Sequence, residues 1–180
     1  LTTPMDVFEE KCEPVYEAIR LTREQLDDSK SLIGFAAAPW TICKYALRGR
    51  KVLDVVNGLV PYIIRHLELQ IFDSHACDIR VTEFEDYVMK PTKIIVDTIR
   101  AKYPDVCIIA FPRMVGKLIN EYVEYVNPDA INISDDLPVD QIQSEVIQGG
   151  IAIKTLLKGN DITPALIKMK DKPYIVNLAH

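Results

Sequence analysis

The chain has 180 residues, 48% of them hydrophobic, with a formal net charge of −5. That is apolar material for one sizeable core but not for two. The acidic balance argues against a nucleic-acid partner, which needs a basic face, and no stretch approaches the ~20 unbroken apolar residues of a membrane span.

The opening LTTPMDVFEEKCEP is acidic and has no apolar signal core, so secretion is not expected. Cys12, Cys43, Cys77 and Cys107 are dispersed without CxxC spacing, which reads as reduced, packed thiols in a cytosolic protein. MDVFEEKCEPVYEAIRLTREQL sets Phe8, Cys12, Val15, Tyr16, Ile19 and Leu26 at helical spacing, interrupted by Pro14. SLIGF follows as a short buried strand. KVLDVVNGLVPYIIRH is an amphipathic helix with Val52, Val55, Val56, Leu59, Val60, Ile63 and Ile64 on one side. LELQIFD is the next strand. TEFEDYVMKPTKIIVDTIRAKY is helical, with Pro91 as a break or kink; VCIIAF is a strand and MVGKLINEYVEYV a helix. DAINIS, EVIQGG and PYIVNL supply three more short strands, with weaker helical material between them.

Strands apolar throughout and separated by helices imply an α/β fold with a parallel sheet covered on both faces. No glycine-rich phosphate loop follows a strand, since Gln148-Gly149-Gly150 lacks the GxGxxG spacing. The expected fold is a parallel barrel of the (β/α)8 TIM type in incomplete form, with about six strands, as one partial domain over residues 1–180. Two junctions are tight: IIRHLELQIFD leaves almost no connector, and LPVDQIQSEVIQGG has hardly room for a crossover helix. Both are read as places where the chain has lost residues.

In such folds functional groups collect beyond the carboxyl ends of the strands. That rule selects Pro39, Trp40 and Tyr45; Asp73, Ser74 and His75; Pro112 and Arg113; Asp135 and Asp136; Gln148; and His180. Hydroxyl, imidazole and guanidinium donors on one barrel mouth suit a ligand rich in carboxylates. Asp135-Asp136 is read as turn chemistry, and Arg113 is kept out of the site. Lys44, Arg48, Arg50 and Lys51 form the one local basic cluster, read as a solvated helix end.

LIGFAAAPWT with Tyr45 close behind resembles the GFAGAPWT-to-tyrosine segment of the uroporphyrinogen decarboxylases. QIFDSHA is similar to that family's serine-bearing strand end. FEDYVMKPTKIIVDTIRAKYP and IIAFPR are similar to bacterial members, VIQGG to a QGN turn, and YIVNLAH to an NLGH segment. The resemblance implies a cytoplasmic carboxy-lyase of haem biosynthesis, commonly a homodimer. It would convert the four acetate side chains of uroporphyrinogen III to methyls, giving coproporphyrinogen III, without metal or organic cofactor. It also implies Tyr45 as a catalytic and substrate-binding residue, with Ser74 and His180 binding substrate carboxylates. The family's RQAGRY segment and its aspartate have no counterpart here, and Asp54, Asp73 and Asp78 do not stand in that context. The chain by itself is therefore expected to be inactive.

Two other readings compete. His75-Ala76-Cys77 with Cys107 downstream could hold zinc, as in thiol methyltransferases of the same superfamily. The chain could also be a degenerate homologue with no catalysis.

Overall fold

The computed structural model describes residues 3–48, 53–66, 70–134, 137–169, 172–176 and 178–179. Helix α1 (Met5–Gln25) is continuous through Pro14. Its apolar stripe is less enclosed than its spacing suggests, because no residue of α1 is buried and Val15 is exposed. It is tied to α3 (Leu53–His66) by the Phe8 ring, edge-on to Tyr62 at 5.1 Å between centroids. The Tyr62 hydroxyl in turn donates to the Thr3 carbonyl at 2.5 Å.

Strand β1 (Phe35–Ala37) starts later than SLIGF suggests, and Phe35 is exposed rather than buried. Pro39 opens α2 (Pro39–Ala46), where its fixed φ suits a first turn and its missing N–H costs nothing. In α3, Val56, Leu59, Val60 and Ile63 are buried, as their spacing requires. β2 (Gln70–Asp73) follows; the connector at residues 67–69 lies outside the described residues.

The next helix runs as α4 (Val81–Phe84), a π turn at Glu85–Met89, and α5 (Lys90–Lys102). Pro91 therefore does not break it. The residue has no N–H to donate, and the wider turn just before it accommodates the lost rung of the ladder. β3 (Ile109–Pro112), a 3-10 turn at Gly116–Leu118, α6 (Ile119–Val126) and β4 (Ala130–Ile133) complete the middle of the chain. β5 (Ile147–Gly149), β6 (Ile151–Ala152), α7 (Ile153–Leu157), α8 (Thr163–Met169), β7 (Tyr174–Ile175) and β8 (Leu178–Ala179) follow.

One sheet runs β1-β2-β3-β4-β5-β7 with every pair parallel, and β6 and β8 form a separate parallel pair. The α/β class and the six parallel strands are as expected, wound one after another as in a (β/α) barrel. Among its described residues the crossover from β4 to β5 contains only a 3-10 turn at Val139–Gln141, yet Ile131 pairs with Ile147 in parallel register. A dozen or so residues suffice to return without an α-helix.

Period-two alternation divides the sheet into two faces. Ile71, Ala110, Ile131, Ile133 and Ile147 point outward, all almost fully buried under the helix layer with Val56, Ile95, Val96 and Val126. The intervening residues face inward. No described helix is long and apolar enough to cross a membrane.

Candidate functional site

The inward face opens onto a cavity of about 730 Å³ lined by Phe35, Gln70, Phe72, Gln148 and Ile175 from the strands. Thr41, Tyr45 and Ser74 reach it from the segments that follow β1 and β2. One wall is aromatic. Parallel register places Phe72 beside Phe111, and the Phe35, Phe72 and Phe111 rings stand edge to face, 5.7 Å apart at each step. Such geometry sets the positive edge of one ring against the negative face of the next.

The rest of the interior is a belt of amides. Gln148 Oε1 accepts from Gln70 Nε2 at 2.6 Å and from Asn132 Nδ2 at 2.8 Å, and all three residues are buried. One acceptor thus satisfies two donors from two other strands, and the belt fixes their mutual placement. Gly149 (φ +91°) lies so close to β4 that a Cβ there would fall 2.7 Å from Asn132 Oδ1 and 2.9 Å from the Ile133 carbonyl. Only glycine fits both the φ and the space.

Above this interior sits the turn after β2. Asp73 is buried; its Oδ1 accepts from the Thr41 hydroxyl at 2.6 Å, while Oδ2 has no partner. Burial pushes its pKa up to about 7 despite the hydrogen bonds from Thr41 and the His75 backbone. Burial thus favours the neutral acid form of Asp73. Thr41 Oγ1 also accepts from the His75 backbone N–H at 3.2 Å, and Trp40 Nε1 donates to the His75 carbonyl at 2.8 Å. The Trp40 ring is held edge-on by Tyr87 at 5.6 Å, from the π turn. The turn bearing Ser74 is thus bonded from α2 on both sides of His75.

His75 packs edge-on against Tyr45, 4.9 Å between centroids, and its Nδ1 lies 2.9 Å from Asp78 Oδ2. Partial burial, then the charges of Lys44 and Arg113, hold its pKa below the ordinary value. The neutral ring donates Nδ1–H to the Asp78 carboxylate, which also pairs with Lys44. Lys44, read from sequence as part of a solvated cluster, is thus engaged in this rim network; Arg48 is exposed, and Arg50 and Lys51 lie outside the described residues.

Of the sequence-derived site residues, Tyr45 and Ser74 share one cavity, and Gln148 lies on its inner wall. Tyr45 is 68% exposed, so it is a rim residue and not a packed aromatic. Ser74 does not cap the following 3-10 turn at Ala76–Asp78, whose N-cap is His75. His180, and likewise Asp135 and Asp136, lie outside the described residues. The zinc set does not assemble: His75 and Cys77 follow the carboxyl end of β2, whereas Cys107 precedes the amino end of β3, at the opposite edge of a parallel sheet. Cys77 and Cys107 are both exposed, which corrects their reading as packed thiols. Sequence reasoning selected Asp73 by position but gave it no role, and it missed Gln70, Asn132 and the phenylalanine wall. The available signal was the two-residue period of QIFD and AINI, which sets Gln70 with Phe72 and exposes Asn132 on the inner face.

A family profile described as Uroporphyrinogen decarboxylase (URO-D) matches residues 1–59 and 68–180. The gap between them, residues 60–67, covers the second half of α3 and the first residue after it. Among curated relatives, the uroporphyrinogen decarboxylase of Orientia tsutsugamushi (strain Ikeda) is 34% identical over 206 residues, spanning 94% of this chain and 60% of its own length. That of Wolbachia sp. subsp. Brugia malayi (strain TRS) is 33% identical over 212 residues, 96% of this chain and 59% of its own. That of Roseobacter denitrificans is 27% identical over 213 residues, 98% and 62% respectively. The chain thus spans about 60% of the length of the relatives it matches. With the profile covering both sides of the cavity, the chain belongs to the uroporphyrinogen decarboxylase family.

Proposed function

We propose that this chain carries part of the substrate-facing machinery of a uroporphyrinogen decarboxylase, acting in porphyrin biosynthesis in the cytoplasm. The reaction converts substrate acetates to methyls. A pyrrole carbon next to the acetate takes up a proton, and the cationic ring accepts the electron pair released when the methylene–carboxylate bond breaks. Carbon dioxide leaves, a second proton completes the methyl group, and the first proton departs from the ring carbon to restore the neutral pyrrole, so one proton is consumed for each carbon dioxide released. The protonated pyrrole is itself the electron sink, so the step as written draws on no organic cofactor or metal.

What the protein supplies is placement, charge stabilisation and protons. The Tyr45 hydroxyl hydrogen-bonds at the reacting acetate, and Ser74 and His180 bind peripheral carboxylates. The wall of Phe35, Phe72 and Phe111 faces the apolar side of the tetrapyrrole and excludes water from the developing cation. The homodimer implied by the sequence resemblance is part of the proposal.

The observation that carries the proposal is the convergence of the Tyr45 and Ser74 side chains on one cavity of about 730 Å³. The 180-residue chain, incubated with uroporphyrinogen, is expected to bind it without producing coproporphyrinogen at ordinary enzyme rates, because no counterpart of the RQAGRY arginines is present. Porphyrin fluorescence measures the first and product chromatography the second. Uroporphyrin binding that is unchanged in Tyr45→Phe and Ser74→Ala variants would remove both residues from the site.

A further inference from the structure

Arg113 stands one residue beyond β3. Its backbone N–H donates to the Asp73 carbonyl at 3.1 Å, which sets it beside the turn that bears Ser74. The following residue, Met114, adopts φ 54° and donates its N–H to Ser134 Oγ at 3.3 Å, so the turn is pinned on both sides. Asp73 points toward the helix layer, where it meets Thr41. Phe111, edge to face with Phe72, lies on the opposite face of the sheet from Asp73, and Arg113 follows in the turn just beyond β3.

Among the described residues its guanidinium has no counter-ion. Arg20, Arg23, Arg80 and Arg100 each hold a carboxylate of the chain, whereas Arg113 forms no ion pair among the described residues, and its Nε is buried without a hydrogen-bond partner. Partly burying a guanidinium and leaving it unsatisfied is costly unless an anion arrives. Its charge also bears on His75, whose ring packs against Tyr45.

We infer that Arg113 is an anchor for a ligand carboxylate, binding an anionic side chain of the tetrapyrrole next to Ser74. This rests on the functional reading above and adds to it a specificity residue. The planar fork of arginine suits a carboxylate in two-point contact, which lysine cannot reproduce.

The test is titration of the chain with uroporphyrin, which bears eight carboxylates, and coproporphyrin, which bears four, at low and high salt. Wild type, Arg113→Gln and Arg113→Lys are compared, with far-UV circular dichroism as the fold control. Arg113→Gln is expected to weaken uroporphyrin binding roughly 10- to 100-fold, the range for a lost charged hydrogen bond, and to flatten its salt dependence. Arg113→Lys should recover part of the affinity and all of the salt dependence. If wild type binds and both variants bind equally well, the anchor role is wrong and the functional reading stands. If wild type binds neither porphyrin, the reading and the inference fall together. Should Arg113→Gln fail to fold, Arg113→Lys decides: affinity equal to wild type overturns the inference, and a loss of tenfold or more supports it.

Discussion

The two faces of the sheet are built from the same strands and obey different rules. Outward, aliphatic residues are nearly uniform: Ile71, Ala110, Ile131, Ile133 and Ile147 meet helices that exclude water. Inward, the neighbouring positions hold three amides and a row of phenylalanines around an open cavity. The outer face is where stability resides, and the inner face is where chemical selectivity is kept. A single residue step along any strand crosses from one to the other.

The largest effect is expected outside. Ile131→Ala removes a fully buried side chain and should cost about 2–5 kcal/mol, read by urea denaturation. A loss below about 1 kcal/mol would mean that the outer layer is loosely packed.

Asp73 lies on the boundary and should reveal itself through pH. Its folded pKa of about 7 is raised above the ordinary 3.8. Its stabilising contribution is therefore fully present below pH ~4 and lost as pH rises toward ~7, at roughly 1.4 kcal/mol per unit. The Asp73→Asn variant should abolish that slope, and above pH 7 should exceed wild type by a few kcal/mol at most, on the order of 2–4. Parallel stability curves for the two proteins from pH 4 to 8 would show that the carboxyl is already ionised in the acid range.

Gln148→Leu keeps the volume of an inner-face residue but strips the acceptor from Gln70 and Asn132. Two buried donors left unmatched should cost about 1–3 kcal/mol. Smallest of all is Phe35→Ala, at a residue 69% exposed, where stability should change by less than about 1 kcal/mol while porphyrin affinity falls. If Phe35→Ala destabilises as strongly as Ile131→Ala, the division between the faces is false.

The outer face was legible because continuous apolar runs such as VCIIAF and DAINIS announce buried parallel strands. Their starts were less so: the strands begin at Phe35 and Ile109, several residues late, since hydrophobicity marks burial and not hydrogen bonding. The stripe on α1 reads as core, yet no residue there is buried, because periodicity shows an apolar side without showing what covers it. On the inner face, Tyr45 and Ser74 were found by position after strands and by resemblance. Gln70 and Asn132 were not, because a lone amide within an apolar strand looks like an interruption until its partners on neighbouring strands are known. Asp73 was selected by position but set aside because it does not stand in the context of the family's aspartate; its hydrogen bond from Thr41, 32 residues away in sequence, could not be read from the chain.

The π turn at Glu85–Met89 has a genetic consequence. It carries one residue more per turn than its flanks, so removing a single residue there would restore an ordinary helical turn and reset the side chains within the turn itself. Tyr87, which braces Trp40 and through it the His75 backbone, would leave its seat while every side chain stayed chemically intact. Spacing, and not only identity, is therefore under constraint in this segment: a one-codon deletion would harm the rim more than most replacements could.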